Sequence, residues 1–257
     1  MATTHGASVS GTGAPVGDTR PAAPVGTGDP SRGGLGILGG SFNPPHRGHV
    51  ELARHVLREL GLERVLLMPA RVSPGKPVED EPYPAHPQHR LEMCRLAATG
   101  VEGVEACGLE IGREGPSYTV DTLRALHARH PETALTFILG ADVASTLSSW
   151  HEAAELPALA SFAVALRVGG RPIIEPDRVD FPIIPLHMPM IDASSSLVRE
   201  RVRRGLPVEE LVGQSVASYI AEHALYRGSD LAGAGEAGGV GTASGDVATA
   251  RGQGGGA

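Results

Sequence analysis

Several residue types that mark particular protein classes are scarce in this sequence of 257 residues. The two cysteines, Cys94 and Cys107, lie in different predicted elements without metal-site spacing, so we expect reduced thiols in a cytoplasmic protein. No apolar run is long enough to span a bilayer, and no secretory or transit pattern is visible, so we expect no membrane partner. Lysine occurs once, at Lys76, and the formal net charge is -7. A mildly acidic chain is not expected to bind nucleic acid.

Large apolar residues are almost absent from both ends of the chain. Residues 1–32 are rich in Gly, Pro, Ala, Thr and Ser, and residues 228–257 are rich in Gly, Ala and Ser. Such segments bury too little apolar surface to offset the entropy that ordering them would cost. We therefore expect two disordered tails on either side of one domain, residues 33–227.

Short apolar runs alternate with helical patterns between these ends. The predicted strands are 35–38, 64–69, 104–111, 135–139, 162–167 and 183–186, and the predicted helices are 48–60, 87–98, 118–130, 194–204 and 208–223. Near-continuous apolar strands are typical of parallel sheets that are covered on both faces. The alternation predicts a doubly wound, mainly parallel α/β sheet, whose ligands bind beyond the carboxyl ends of the strands. A long Pro-rich loop, residues 70–87, follows the second strand at that edge.

The stretch GGSFNPPHRGH joins the first predicted strand to the first predicted helix. Gly39 and Gly40 allow a sharp turn and a close approach of backbone to ligand. The helix start that follows offers free N–H groups and the positive end of the helix dipole, which suits a phosphate. His46 and His49 are three residues apart, so both imidazoles lie on one face and can donate hydrogen bonds to phosphate oxygens.

The stretch SSSLVR, near the carboxyl-terminal end of the domain, predicts a second anion site. One of Ser194, Ser195 and Ser196 is a natural helix N-cap, and a helix that starts with serines presents hydroxyl and N–H donors. Arg199 lies one turn into the helix and is suited to bidentate contact with a phosphate.

Plainer interpretations of the same residues stay open at this point. GGSFNPPHRGH is compatible with an ordinary turn, or with a metal site to which His55 adds a third imidazole. SSSLVR is compatible with a capped surface helix, Lys76 with a solvated lysine, and Trp150, the one tryptophan, with a packing role.

Taken together, these stretches resemble a known family. GGSFNPPHRGH resembles the nucleotide-binding signature of the nucleotidylyltransferase superfamily, which class I aminoacyl-tRNA synthetases share. Successive blocks between residues 35 and 226 resemble bacterial nicotinate-nucleotide adenylyltransferase: HRLEMCRLA, EGPSYTVDTLRAL, FILGADVASTLSSWHEAAEL, SSSLVRERVRRG and VASYIAEHALY. The resemblance implies a Rossmann-like fold and transfer of the adenylyl group of ATP to nicotinate mononucleotide, giving deamido-NAD⁺ and pyrophosphate.

The resemblance also implies the residues of two substrate sites. His46 and His49 would be catalytic, and Mg²⁺ would be carried by ATP without a protein side chain as ligand. The implied ATP-binding residues are Gly39, Gly40, Ser41, Phe42, His46, His49, Lys76, Ser194, Ser195, Ser196 and Arg199. The implied residues around nicotinate mononucleotide are Thr119, Asp142, Trp150 and Arg167. In two places the chain departs from the family pattern: Ser196 replaces a threonine, and Gly75 replaces the histidine that commonly precedes the lysine.

Other functions share part of this pattern. Nicotinamide mononucleotide is an alternative acceptor, and pantetheine phosphate is a weaker one because that enzyme lacks the GPSYTVDT and GAD…SSW blocks. A synthetase would need a lysine-containing KMSKS-like loop and an anticodon-binding domain, for which this chain has one lysine and no room. A nucleotide-binding protein without activity would be favoured by loss of a loop histidine or of Arg199, and all are present. The sequence leaves a homo-oligomer open.

Overall fold

Six strands form one sheet in which every neighbouring pair is parallel. The computed structural model describes residues 33–74, 85–167, 182–188 and 191–227. The strands are β1 (Leu35–Gly40), β2 (Arg64–Pro69), β3 (Val104–Ala106), β4 (Leu135–Gly140), β5 (Ser161–Arg167) and β6 (Ile183–Met188). Their order across the sheet, β3-β2-β1-β4-β5-β6, reverses between β1 and β4. The predicted doubly wound sheet is confirmed, and its reversal point is where ligands of such folds bind.

Helices follow the strands and cover the sheet. The helices are α1 (Arg47–Leu60), α2 (Pro87–Ala98), α3 (Thr119–Arg129), α4 (Ala141–Ala144), α5 (Leu156–Leu159), α6 (Ser195–Arg203), α7 (Glu209–Val212) and α8 (Gln214–Glu222). Two 3₁₀ turns, Leu147–Ser149 and Ala153–Glu155, lie between α4 and α5. None of the helices in the described ranges has the length and apolar character needed to cross a membrane.

The sheet separates two apolar layers, as alternating strand residues require. Leu35 and Ile37 of β1 pack with Leu123 of α3 on one face. Leu38 packs with Val56 of α1 on the other face. A third cluster joins α2 to α6, α7 and α8 through residues such as Met93, Val198, Val212 and Ile220. The last helices therefore pack on α2.

Two predicted elements differ from the structure by more than two residues at one end or by a break. β3 ends at Ala106, whereas the sequence predicted a strand over residues 104–111, because the chain pairs with β2 for three residues and then turns. A Cβ atom at Gly108 would lie 2.8 Å from the Leu91 side chain, so the backbone there passes close to α2. The predicted last helix, 208–223, is two helices separated by Gly213, whose φ of +83° no helix permits. The predicted tails and most of the loop after Pro74 lie outside the described residues.

Candidate active site

The loop between β1 and α1 is held by buried polar contacts. β1 runs two residues further than predicted, to Gly40, so the turn itself begins at Ser41. A Cβ atom at Gly39 would lie 2.9 Å from the Phe137 ring of β4, so a larger residue would force that ring to shift. Phe42 is buried at a φ of +48°, and Asn43, 1% exposed, accepts a hydrogen bond from the Ala85 N–H group (3.1 Å). Strain and buried polar contacts of this kind are common at functional sites.

Arg90 of α2 lies beneath this loop and is fully buried. Its guanidinium donates to the backbone carbonyls of Ser41 (2.7 Å), Arg71 (3.1 Å) and Ala85 (3.2 Å). These three bonds give Arg90 a structural role. They tie the β1–α1 loop to the segments after β2 and before α2, so the loop keeps one conformation.

The two histidines of the signature lie against each other at the start of α1. Their ring centroids are 3.8 Å apart, and His46 is the N-cap of the helix. The His46 backbone N–H donates to Nδ1 of His49 (3.1 Å). A neutral His49 must then carry its proton on Nε2, which makes Nε2 the donor toward a ligand. Among the described residues, the buried Nδ1 of His46 has no hydrogen-bond partner.

The glycine between the histidines has a packing reason that the sequence does not reveal. A Cβ atom at Gly48 would lie 2.9 Å from Cε1 and Nδ1 of His46. Any larger residue would push the His46 imidazole away from the helix start. The HxGH spacing therefore fixes where the first imidazole lies, and not only which face it shares.

Burial keeps both imidazoles neutral in the ligand-free protein. It lowers the pKa of His46 to about 4. Burial, followed by repulsion from His46, lowers the pKa of His49 well below its usual value. A bound polyphosphate would oppose both shifts, because a nearby anion favours the charged imidazole.

Acidification should therefore destabilise the ligand-free protein between about pH 6.5 and pH 4. In this window the unfolded chain binds more protons on these histidines than the folded chain does, so stability falls as pH falls. For His46 the loss should be about 2 to 3 kcal/mol at pH 4. Urea unfolding at pH 7, 5.5 and 4.5 measures it, and His46→Asn should lose less stability than the wild type. Equal losses in the two proteins would contradict the assignment.

The SSSLVR segment packs directly on the same loop. Ser194 is the N-cap of α6 as predicted for one of the three serines, and its hydroxyl accepts from the Leu197 N–H group (3.2 Å). The Ser195 hydroxyl donates to the Pro44 carbonyl (2.8 Å). Arg199 donates to the Asn43 carbonyl (2.7 Å) and to the Ser196 hydroxyl (3.3 Å). Residues more than 150 positions apart in sequence thus form one surface with two helix N-termini.

The residues predicted to surround nicotinate mononucleotide lie near the edge of the sheet at which the strands have their carboxyl ends. Thr119 is the first residue of α3, and the Tyr118 ring before it stacks on His151 at 4.2 Å, next to Trp150. Trp150 packs edge-on against Phe137, and its indole N–H donates to the Thr146 hydroxyl (3.0 Å). The segments that carry Thr119 and Trp150 are therefore in contact through Tyr118 and His151.

Of the remaining predicted site residues, the structure describes the positions of Asp142 and Arg167 but not that of Lys76. Asp142 is exposed and lies on α4, two residues past the end of β4, where its carboxylate lies beside Gly140. Arg167 is the last residue of β5, at the expected edge of the sheet. Lys76 and Gly75 lie outside the described residues. Within the described ranges, no group of three His, Cys, Asp or Glu side chains is arranged to hold a metal ion.

The sequence from β1 to α6 assigns the chain to the cytidylyltransferase-like class. The family model with that description matches residues 37–201. The solved nicotinic acid mononucleotide adenylyltransferase of Plasmodium falciparum, complexed with NaAD, has the same fold: its TM-score is 0.63 at 20% identity, over 76% of this chain and 98% of that one.

Relatives of higher sequence identity show to which family within this class the chain belongs. The probable nicotinate-nucleotide adenylyltransferase of Geobacillus thermodenitrificans is 39% identical over 194 residues, which cover 76% of this chain and 86% of the relative. That of Dehalococcoides mccartyi is 41% identical over 199 residues, which cover 74% of this chain and 96% of the relative. The chain belongs to the nicotinate-nucleotide adenylyltransferase family. The family resemblance in the sequence is thereby confirmed.

Proposed function

We propose that this chain transfers the adenylyl group of ATP to nicotinate mononucleotide, giving deamido-NAD⁺ and pyrophosphate in NAD biosynthesis. One observation carries the nucleotide half of the proposal: α6 is docked on the β1–α1 loop through Ser195 and Arg199. That contact gathers two helix N-termini, an imidazole pair and a guanidinium around one point, which suits a triphosphate. The nicotinate half rests on family membership.

Adenylyl transfer requires that the two substrates are positioned and that the developing charge is stabilised. The 5′-phosphate of nicotinate mononucleotide attacks the α-phosphorus of ATP in line, the bond from that phosphorus to the β-phosphate oxygen breaks, and pyrophosphate leaves. The attacking phosphate is already anionic, so no protein nucleophile is needed. His46 and His49 bind the phosphates, and the Nε2–H group of His49 stabilises the charge that develops at the α-phosphate. Ser194, Ser195, Ser196 and Arg199 hold the leaving pyrophosphate.

Mg²⁺ is the cofactor we propose, bound with ATP. It prefers oxygen ligands and usually keeps several waters when phosphates bind it. The polar side chains of residues 41–49 and 194–199 are imidazoles, hydroxyls, guanidiniums and one amide, without a carboxylate. This donor set fits a magnesium ion that the phosphate oxygens hold. When bound, the ion offsets phosphate charge.

The acceptor is proposed to lie between the starts of α3 and α4, over the β1–β4 reversal. Trp150 offers an indole face on which a pyridine ring can stack, and the backbone N–H groups near Thr119 and Trp150 can bind a carboxylate. Asp142 and Arg167 complete this proposed site, with Lys76 and the backbone of Gly39, Gly40, Ser41 and Phe42 on the ATP side. We propose the cytoplasm as the compartment, since Cys94 and Cys107 are free thiols.

Nicotinate mononucleotide should be the preferred acceptor by about 10- to 100-fold in kcat/KM over nicotinamide mononucleotide. The reason is that a carboxylate accepts charge-assisted hydrogen bonds that the neutral amide does not replace. Pyrophosphate release from ATP, measured in parallel with nicotinate mononucleotide, nicotinamide mononucleotide and pantetheine phosphate, tests this. Equal turnover of the two mononucleotides would indicate dual specificity. Preference for pantetheine phosphate would overturn the proposed substrate.

A further inference from the structure

Glu110 is the one acidic residue that is buried within the described ranges, at 6% exposure. It lies in the turn that replaces the end of the predicted third strand, outside the residues assigned to either substrate. Burial raises the pKa of its carboxyl group, whereas the Thr122 and Ser117 hydroxyls and the Arg113 guanidinium act in the opposite direction. Burying a carboxylate costs free energy unless hydrogen-bond partners offset that cost, and Glu110 has such partners.

Those partners belong to the segment that leads into α3 and to the first turn of that helix. The Thr122 hydroxyl donates to Oε1 of Glu110 at 2.7 Å. Arg113 reaches the same group, donating to the Thr122 hydroxyl (3.2 Å) and to the Tyr118 carbonyl (3.3 Å). The Ser117 hydroxyl lies close enough to the carboxyl group to lower its pKa. The carboxylate thus lies at the centre of contacts that fix both sides of Thr119.

The same segment is tied to the chain that follows β2. The Arg71 N–H group donates to the Ser117 hydroxyl (2.9 Å), and the Ser117 N–H group donates to the Val72 carbonyl (2.9 Å). With its oxygen accepting from Arg71, the Ser117 hydroxyl has its proton available for Glu110. The β1–α1 loop meets this network at one further remove, since Arg90 donates to the carbonyls of both Ser41 and Arg71. Glu110 is therefore linked to the acceptor side of the site more directly than to the ATP side.

We propose that Glu110 is a positioning residue for the acceptor, which acts through Ser117 and Thr122 to hold Thr119 and the first turn of α3 at the nicotinate site. The inference rests on the proposed function. Its mechanism is preorganisation, since a first turn held in place binds the acceptor without an additional ordering step. Glu110 itself does not touch substrate in this account.

Glu110→Gln keeps the side-chain shape but replaces an acceptor oxygen with an amide that faces donors. It should raise the KM for nicotinate mononucleotide about 5- to 20-fold, with the KM for ATP within about 2-fold of the wild type. Thr122→Val removes one partner and should raise the same constant. The double variant should show little more than the larger single effect, because both changes break one network.

Thr136→Val is the matched control, since Thr136 is a comparably buried hydroxyl on β4. It should leave both KM values unchanged. Melting temperatures of all variants show whether each is folded, and Thr122→Val remains informative if Glu110→Gln does not fold. An unchanged acceptor KM in folded Glu110→Gln and Thr122→Val, with an active wild type, would overturn the inference. If the wild type releases no pyrophosphate with any acceptor, the proposed function fails instead.

Discussion

His49→Ala should lower kcat by about 10² to 10³, the usual effect of removing one donor aimed at developing charge. The structure gives the reason: Nδ1 of His49 is occupied by the His46 N–H group, so Nε2 is a committed donor. The stability loss should be modest, about 1 kcal/mol, from one capping hydrogen bond and the contact with Phe42. Steady-state pyrophosphate release and urea unfolding of the purified variant measure the two effects separately.

Two further variants sharpen this result. His49→Asn can offer an oxygen to the His46 N–H group and an amide donor beyond it, so it should retain more activity than His49→Ala. His55→Ala removes another imidazole from α1, two turns from the N-terminus, and should leave kcat within about 2-fold of the wild type. Turnover of His49→Ala close to that of the wild type would sink the assignment.

Arg199→Ala should lower kcat/KM for ATP by about 10²-fold, with little change in the KM for nicotinate mononucleotide. One charge-assisted contact is worth about 1.5 to 3 kcal/mol, and Arg199 lies where the start of α6 meets the β1–α1 loop. Arg199→Lys should recover only part of the loss, because an ammonium group lacks the planar fork that binds two oxygens at once. Initial rates at varied ATP, with saturating acceptor, give the measurement.

Arg203→Ala is the matched control for this change. Arg203 is an exposed arginine on the same helix, one turn further from the N-terminus. Its removal takes away the same formal charge without touching the loop, so ATP kinetics should stay within about 2-fold of the wild type. Equal losses in Arg199→Ala and Arg203→Ala would mean that net positive charge matters and not the position of Arg199.

Local patterns predicted the parts of this fold that depend on local physics. The apolar runs of β1, β2 and β4 mark strands that are covered on both faces, and the serine cap at Ser194 marks the start of α6. The end of β3 could not be predicted in this way, since it depends on how far β2 offers a partner and on where Glu110 finds hydroxyl donors. The break at Gly213 had a visible signal, a glycine within an otherwise helical pattern.

The candidate site shows the same division. The stretch GGSFNPPHRGH predicted the glycine turn after the strand, the histidine pair and the helix start, because these features are contiguous in sequence. The hydrogen bonds of Ser195 and Arg199 to the loop carbonyls could not be predicted, because only the fold brings those segments together. Nor did any pattern reveal that Arg90 would hold three carbonyls under the loop. Which acceptor is used came from resemblance, since no spacing distinguishes nicotinate from another phosphate acceptor.

The fate of the ATP phosphates tests most directly whether the chain transfers the adenylyl group of ATP to nicotinate mononucleotide. ATP labelled with ³²P at the α- or the γ-phosphate is incubated with the full chain, Mg²⁺ and nicotinate mononucleotide, and the products are separated. Direct adenylyl transfer predicts α-label in deamido-NAD⁺ and γ-label in pyrophosphate in equal amounts, with no label on the protein. γ-Label released as orthophosphate, or α-label on the protein, would contradict direct adenylyl transfer at the β1–α1 loop.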